Sequence, residues 1–224
     1  IRYRIRSPEG KWSDATVVDA DRGPDLSGPA LVVDPDDVVH LAYSGSDGSA
    51  WYRQLRPDGD LTWRRQLAEG LGTASEDIGS ILPLVYLPES DQVSVIYRRD
   101  TGHLWERRIG PDDGFSEPVQ VTERPVVQNA VDSDQAGADA VGHNDGVQVL
   151  FIESGTGHLY HTHRRPDGRW QEAEPQVTDG NVQWVRGAVL NDEDGEPVYG
   201  YVYDAGSDGG SGKNRYREVP LPGG

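Results

Sequence analysis

A short turn of Pro, Asp or Glu, and Gly recurs along the chain, and an aromatic residue follows each copy. The four copies are Ser7–Trp12, Arg56–Gly59 with Trp63, Gly110–Phe115 and Arg165–Trp170. The aromatic residues recur about every 50 residues, a period typical of repeat proteins that stack one supersecondary unit. We therefore expect one repeat domain over residues 1–224, with a segment upstream of this sequence as an open alternative.

The repeat unit is predicted to contain four short strands separated by turns. In one copy the strands are Ala30–Val33, Val38–Tyr43, Ala50–Leu55 and Thr62–Leu67. Gly, Pro and Asp separate them, as is typical of hairpin turns. A last copy, from Arg186 to Val219, has three such strands. The pattern predicts an all-β fold, a β-propeller with four full blades plus part of a fifth, so that four and five blades both stay open.

Two sets of aromatic residues repeat with this unit and are predicted to pack between blades. The first set is Trp51, Trp105 and Tyr160, and the second is Trp12, Trp63, Phe115 and Trp170.

The composition excludes several partners. The formal net charge of −17 argues against nucleic acid, which requires a basic surface. The sequence has no run of about 18 apolar residues, so no membrane insertion is expected. Cysteine is absent, which excludes disulfides and cysteine metal sites.

Three segments carry a resemblance to a known family. Val38–Tyr43, Gly102–Trp105 and Gly157–Tyr160 resemble repeats of the sialidase-like, Asp-box (BNR-type) β-propellers. The period and strand order also resemble, more weakly, the fucose-binding propeller lectins. Those lectins pair an arginine on the second strand with a glutamate on the third. Glu106 matches the glutamate, whereas Ser94 replaces the arginine and His161 replaces the next glutamate. The resemblance implies a propeller that binds or cleaves glycans.

One face of a propeller carries both the loops between blades and the turns between second and third strands, and we expect the ligand there. Trp184, in a polar loop, is predicted to stack on a sugar; alternatively, it covers an inner blade edge. Four arginines on this face are predicted to clamp a carboxylate or sulfate, or else to form internal ion pairs. They are Arg98, Arg99, Arg124 and Arg186, and Asp77 and Asn129 complete the predicted ligand-binding set.

Three residues are candidates for catalysis, of which Glu153 and Asp204 lie on the same face. Glu153 and Asp204 could serve as the carboxylate pair of a glycosidase, and His161 could abstract a proton in a lyase. A structural role for the cluster of His158, His161 and His163 is the alternative. We expect no cofactor; calcium at the acidic loop Asn191–Gly195 is the weaker alternative, because that loop lacks the twelve-residue spacing of a calcium loop.

The functional prediction is a carbohydrate-binding (lectin-like) or interaction propeller with one ligand face. The alternative is a glycoside hydrolase or polysaccharide lyase that acts on an acidic glycan at the mouth of the central channel. The expected partner is a glycan or polysaccharide, with a protein partner or the upstream segment as the alternative. We expect an extracellular or cell-surface location.

Overall fold

The computed structural model describes residues 1–20, 29–71, 82–127, 137–165, 167–206 and 213–221, which form strands and turns without a helix. Consequently, none of these described residues belongs to a helix that could cross a membrane. The predictions for Asp77 and Asn129 lie outside the described residues.

The strands form five antiparallel sheets in chain order. An N-terminal hairpin comprises β1 (Arg2–Tyr3) and β2 (Thr16–Val17). Sheet A comprises β3 (Ala30–Val33), β4 (Val39–Ser44), β5 (Ala50–Leu55) and β6 (Arg65–Ala68). Sheet B comprises β7 (Leu84–Leu87), β8 (Gln92–Arg98), β9 (Leu104–Ile109) and β10 (Val119–Gln120). Sheet C comprises β11 (Ala138–His143), β12 (Gly146–Ile152), β13 (Leu159–Arg164) and β14 (Glu174–Val177). Sheet D comprises β15 (Asn181–Asn191), β16 (Pro197–Gly206) and β17 (Lys213–Pro220).

The recurring turn has the backbone conformation that its glycine permits. Gly59 and Gly168 both have φ of 90°, in the left-handed region where a side chain is strained. The aspartate before each glycine reinforces the turn: Oδ1 of Asp58 and Oδ1 of Asp167 each accept a hydrogen bond from the backbone two residues later. The turn is therefore a structural element that reverses the chain between the third and fourth strands.

The hydrophobic core lies at the boundaries between successive sheets, which we call seams. One apolar cluster joins sheets A and B, a second joins B and C, and a third joins C and D. The inner strands also touch in chain order, β3 with β7, β7 with β11, and β11 with β15. The described residues contain no strand pairing between sheet D and the N-terminal hairpin. The four-stranded repeat is thus confirmed, whereas the blade number stays a prediction.

One of the predicted aromatic sets needs correction. Isolated β-bridges pair Ile109 with Phe115 and Arg164 with Trp170, but at the same register in sheet A they pair Leu55 with Leu61. Trp63 therefore lies two residues beyond the repeat position, and its side chain is 90% exposed. The expected core role is wrong for Trp63, because in that copy the bridge position two residues after the turn glycine is occupied by leucine. It is also wrong for Trp12, which occupies the bridge position but is 59% exposed.

Candidate functional site

An arginine bridge recurs at the seams. Arg53, Arg107 and Arg217 lie at the same register in β5, β9 and β17. Nη1 of each arginine donates a hydrogen bond to a backbone carbonyl of the preceding sheet or hairpin. The accepting residue lies on the last strand of that sheet or hairpin, or directly after it. The acceptors are the carbonyl oxygens of Val18, Leu67 and Gln176, respectively. Each arginine therefore links two neighbouring sheets, or the hairpin and sheet A, at their outermost strands.

The seam between sheets B and C lacks this bridge. Thr162 lies two residues after Tyr160, just as Arg107 lies two residues after Trp105. The Thr162 hydroxyl donates to the carbonyl oxygen of Gln171 at 2.7 Å, which reproduces the bond inside its own sheet that Nε of Arg107 makes to Ser116. A threonine is too short to reach the preceding sheet as well.

A groove opens at this unbridged seam. Its volume is about 540 Å³, and it lies between residues 120–124, at the end of sheet B, and residues 170–173, which precede β14 of sheet C. The corresponding cavity at the A–B seam is lined by Gln66–Glu69, Arg99 and Arg107 and measures about 240 Å³. The B–C groove falls within the range of small-molecule pockets, about 300–1,000 Å³.

The groove combines an aromatic wall with amide groups. The half-buried Trp170 forms part of the wall, and its Nε1–H donates to Oε2 of Glu106 at 3.2 Å. Nε2 of Gln120 donates to the carbonyl oxygen of Thr122 at 2.9 Å. Among the described residues, the Gln171 side chain has no hydrogen-bond partner. An apolar ring beside an unpartnered amide can hold a ligand that has both an apolar face and hydroxyl groups.

Arg124, which lines the groove, forms an internal ion pair with Glu153. Nη1 of Arg124 lies 2.6 Å from Oε1 of Glu153, and its guanidinium lies 4.2 Å from the centre of the Tyr160 ring. Burial raises the pKa of Glu153, but hydrogen bonds from Thr156 and Arg124 outweigh it, so the pKa lies below its ordinary value. Both residues are therefore charged and paired with each other at neutral pH.

The rim of the groove is acidic. Glu123 and Glu172 are exposed there, and the part of the chain that the structure describes gives neither a salt-bridge partner. Since Arg124 is neutralised by Glu153, the groove carries net negative charge. This charge disfavours an anionic ligand.

The contacts of the three predicted catalytic residues do not connect them. His161 is buried, and its Nε2–H donates to Oε1 of Gln148 at 3.0 Å. Burial and the neighbouring His163 lower the pKa of His161 to about 4, so the ring is neutral and enclosed. Asp204 lies on β16 of sheet D, and Oδ1 of this side chain has no hydrogen-bond partner among the described residues. Glu153, in contrast, is paired with Arg124.

Two of the predicted ligand-binding arginines make internal contacts. Nε of Arg98 donates to the carbonyl oxygen of Val126 at 2.7 Å, and burial lowers the pKa of Arg98. The Arg99 guanidinium lies 4.5 Å from the centre of the Trp105 ring. Both contacts are internal, but neither is the ion pair that the sequence left as the alternative.

The two predicted ligand-binding residues of the last sheet, Trp184 and Arg186, both lie on strand β15. Trp184 is half-buried within β15, at an irregularity between Val182 and Val185. The expected loop was wrong because β15 is longer than its apolar run, beginning at Asn181. Arg186 is exposed two residues later, and its Nη1 donates to the carbonyl oxygen of Val185.

Sequence reasoning missed the carboxyl group of Asp139 on β11. Its Oδ2 accepts hydrogen bonds from the backbone N–H of Gly187 at 2.8 Å and from the Tyr199 hydroxyl at 3.0 Å. Burial raises the pKa of Asp139 despite these bonds and the nearby Arg186. These contacts bring no second described carboxylate to it, and the described residues contain no cluster of three metal-ligating side chains. One aspartate in a strand of alternating polarity gave no signal that could have identified it.

A buried ion pair crosses the B–C seam. Glu106 is 2% exposed, and its Oε2 lies 3.1 Å from Nε of Arg164 in sheet C. Its Oε1 accepts a hydrogen bond from the Ser94 hydroxyl at 2.8 Å. Because internal donors occupy both oxygens, Glu106 belongs to the packing of the seam.

Comparison with known proteins supports the fold. No protein-family model matches the chain, and no curated protein sequence matches it. A solved structure of the BP39L lectin from Burkholderia pseudomallei matches with a TM-score of 0.55 and 13% identity, over 88% of this chain and 58% of that one. A mutant of AofleA from Arthrobotrys oligospora matches with a TM-score of 0.53 and 15% identity, over 88% and 57%. The NanB sialidase from Streptococcus pneumoniae matches with a TM-score of 0.54 and 13% identity, over 87% and 30%.

This chain therefore spans less than two thirds of the length of each of these structures. At such low identity the likeness concerns the fold alone. The chain has the all-β architecture of antiparallel sheets that these β-propellers share.

Proposed function

We propose that this chain is a carbohydrate-binding β-propeller and that the groove at the B–C seam holds the glycan. The observation that carries this proposal is the open seam itself, in which the Trp170 ring lies beside the unpartnered amide of Gln171. Aromatic rings pack against the apolar face of a sugar, and amides can donate to and accept from its hydroxyl groups.

The contacts of the predicted catalytic residues favour binding over turnover. His161 is enclosed with Gln148, and Glu153 is held by Arg124 and Thr156. A general base must reach its substrate within hydrogen-bonding distance. Two of the structures with a similar fold are a lectin and AofleA, and these support the proposal only at the level of the fold.

A glycoside hydrolase or polysaccharide lyase is the second candidate, and Asp139 is the observation that favours it. A carboxyl group whose pKa is raised by burial can serve as a general acid. Arg186 lies near Asp139 and is exposed, so a carboxylate of an acidic substrate could contact this arginine.

The charge of the groove supports an uncharged or amino-bearing glycan. The exposed Glu123 and Glu172 would repel a uronate or a sialic acid, and the one arginine in the lining is paired with Glu153. The acidic glycan of the alternative enzyme hypothesis is therefore not the ligand that we propose.

Calorimetric titration with a charge series tests the proposal. Cellotetraose is neutral, the glucosamine tetramer is cationic and tetragalacturonate is anionic; we expect binding of the first two and none of the third. Gln171→Ala and Gln120→Ala should each weaken binding about tenfold, as the loss of about 1.4 kcal/mol of hydrogen bonding implies. Gln66→Ala is the matched control, because Gln66 occupies the same repeat position as Gln120 at the A–B seam.

Two results would contradict the proposal. One is the absence of binding to all three tetrasaccharides, and the other is unchanged affinity in both groove variants. Reducing-end release from the same tetrasaccharides, abolished by Asp139→Asn, would support the hydrolase instead.

A further inference from the structure

We infer that Thr162 is the residue that makes the B–C seam a ligand site, an inference that rests on the proposed function. Thr162 lies behind Gln171 and is only 1% exposed, so it acts on a ligand indirectly, through the space that its short side chain leaves open. The arginines at this position in the other sheets cross their seams. Thr162 does not cross the B–C seam, and the space there stays open.

The arginine at the A–B seam shows what occupies the equivalent space. Arg107 lines the smaller cavity there, and its Nη1 reaches the carbonyl oxygen of Leu67 at 2.6 Å. The equivalent carbonyl at the B–C seam belongs to Val121, which lines the open groove. An arginine in place of Thr162 would therefore extend across the groove toward Val121.

The same comparison explains why the Trp170 ring is free. Phe115 is the equivalent residue at the A–B seam, and two guanidinium groups cover its ring: that of Arg65 at 4.0 Å and that of Arg107 at 5.0 Å from the ring centre. No described guanidinium lies over the ring of Trp170. Thr162 stands at the position of Arg107.

The second arginine of the A–B seam is replaced too. Val119 pairs with Glu106 at the register where Arg65 pairs with Tyr52. Both replacements remove a cation from the aromatic wall. The ring that would otherwise hold a guanidinium is thus left for the face of a sugar.

The seam keeps its strength without the arginine bridge. The ion pair of Glu106 with Arg164 and the hydrogen bond from Trp170 join sheets B and C. A variant that restores the arginine should consequently fold, because it adds a contact that three other seams already contain.

Thr162→Arg tests the inference, with cellotetraose and the glucosamine tetramer as probes in calorimetric titration. We expect affinity to fall at least tenfold, with a melting temperature no lower than that of the unmodified protein. Thr162→Ser keeps the hydroxyl and should bind normally. Val119→Arg closes the groove from the other sheet and should also lower the affinity at least tenfold, which keeps the test valid if Thr162→Arg folds poorly.

The outcomes separate the two proposals. If the protein binds and Gln171→Ala weakens binding, but Thr162→Arg and Val119→Arg bind normally, the groove remains the site and Thr162 does not determine it. If Thr162→Ser loses binding as completely as Thr162→Arg, the hydroxyl rather than the absent arginine is responsible, and the inference is wrong. If the unmodified protein binds none of the probes, the proposed function fails and the inference falls with it.

Discussion

The buried His161 should make this protein sensitive to mild acid. Its pKa in the folded chain is about 4, against 6.5 for an ordinary histidine, because burial and His163 oppose its charge. A group with a depressed pKa in the folded state contributes its full stability above its unfolded pKa. That contribution is lost as the pH falls toward the folded value.

The magnitude follows from the two pKa values. Between pH 6.5 and 4 the histidine is protonated in the unfolded chain but neutral in the folded chain. The free energy of unfolding therefore falls by about 1.4 kcal/mol for each pH unit. At pH 5 the loss from His161 is therefore about 2 kcal/mol. His163, whose pKa is also lowered, acts in the same direction, whereas Asp139 acts in the opposite direction because its pKa is raised.

Urea unfolding at pH 7 and pH 5, followed by tryptophan fluorescence, measures this effect. The variant His161→Gln cannot be protonated, and its amide can still donate to Gln148. We expect the unmodified protein to lose about 2 kcal/mol more than this variant between the two pH values. His103→Gln removes a histidine outside the cluster and should retain the full pH dependence. An equal loss in His161→Gln and the unmodified protein would refute the argument.

Two further predictions concern packing. Glu106→Gln should lower the free energy of unfolding by about 3–5 kcal/mol, because it leaves the buried charge of Arg164 without its partner; a loss below 1 kcal/mol in urea titration would show that the pair is not buried in solution. Gly157→Ala should cost about 1–3 kcal/mol more than Gly155→Ala. Both glycines have positive φ, but a Cβ atom on Gly157 would clash with Oδ1 of Asn181, whereas the space around Gly155 is open. Equal melting temperatures for the two alanine variants would contradict this difference.

The strands were predictable because turn residues punctuate the sequence. The predictions Ala30–Val33 and Ala50–Leu55 coincide with β3 and β5, since Gly, Pro and Asp bound both. The prediction for Trp63 is wrong because, in that copy, leucine rather than the aromatic residue occupies the bridging position after the turn. Spacing alone does not distinguish the two registers.

The candidate groove was only partly accessible from the sequence. The repeated pattern of an aromatic residue followed two positions later by arginine, at Arg53 and Arg107, would have marked Thr162 as an exception. That an arginine crosses a seam depends on how neighbouring sheets stack, and no local pattern encodes this. The same holds for Asp139, whose environment comes from Gly187 and Tyr199, which lie 48 and 60 residues away in the sequence.

The buried ion pair between Glu106 and Arg164 also affects what ligand binding would cost. It fixes sheet B to sheet C beside the groove, and Trp170 is oriented by the same carboxylate. A ligand that entered the groove would meet a ring whose orientation is already set in the free protein. Little conformational entropy would then be lost on association, and the groove would be preorganised.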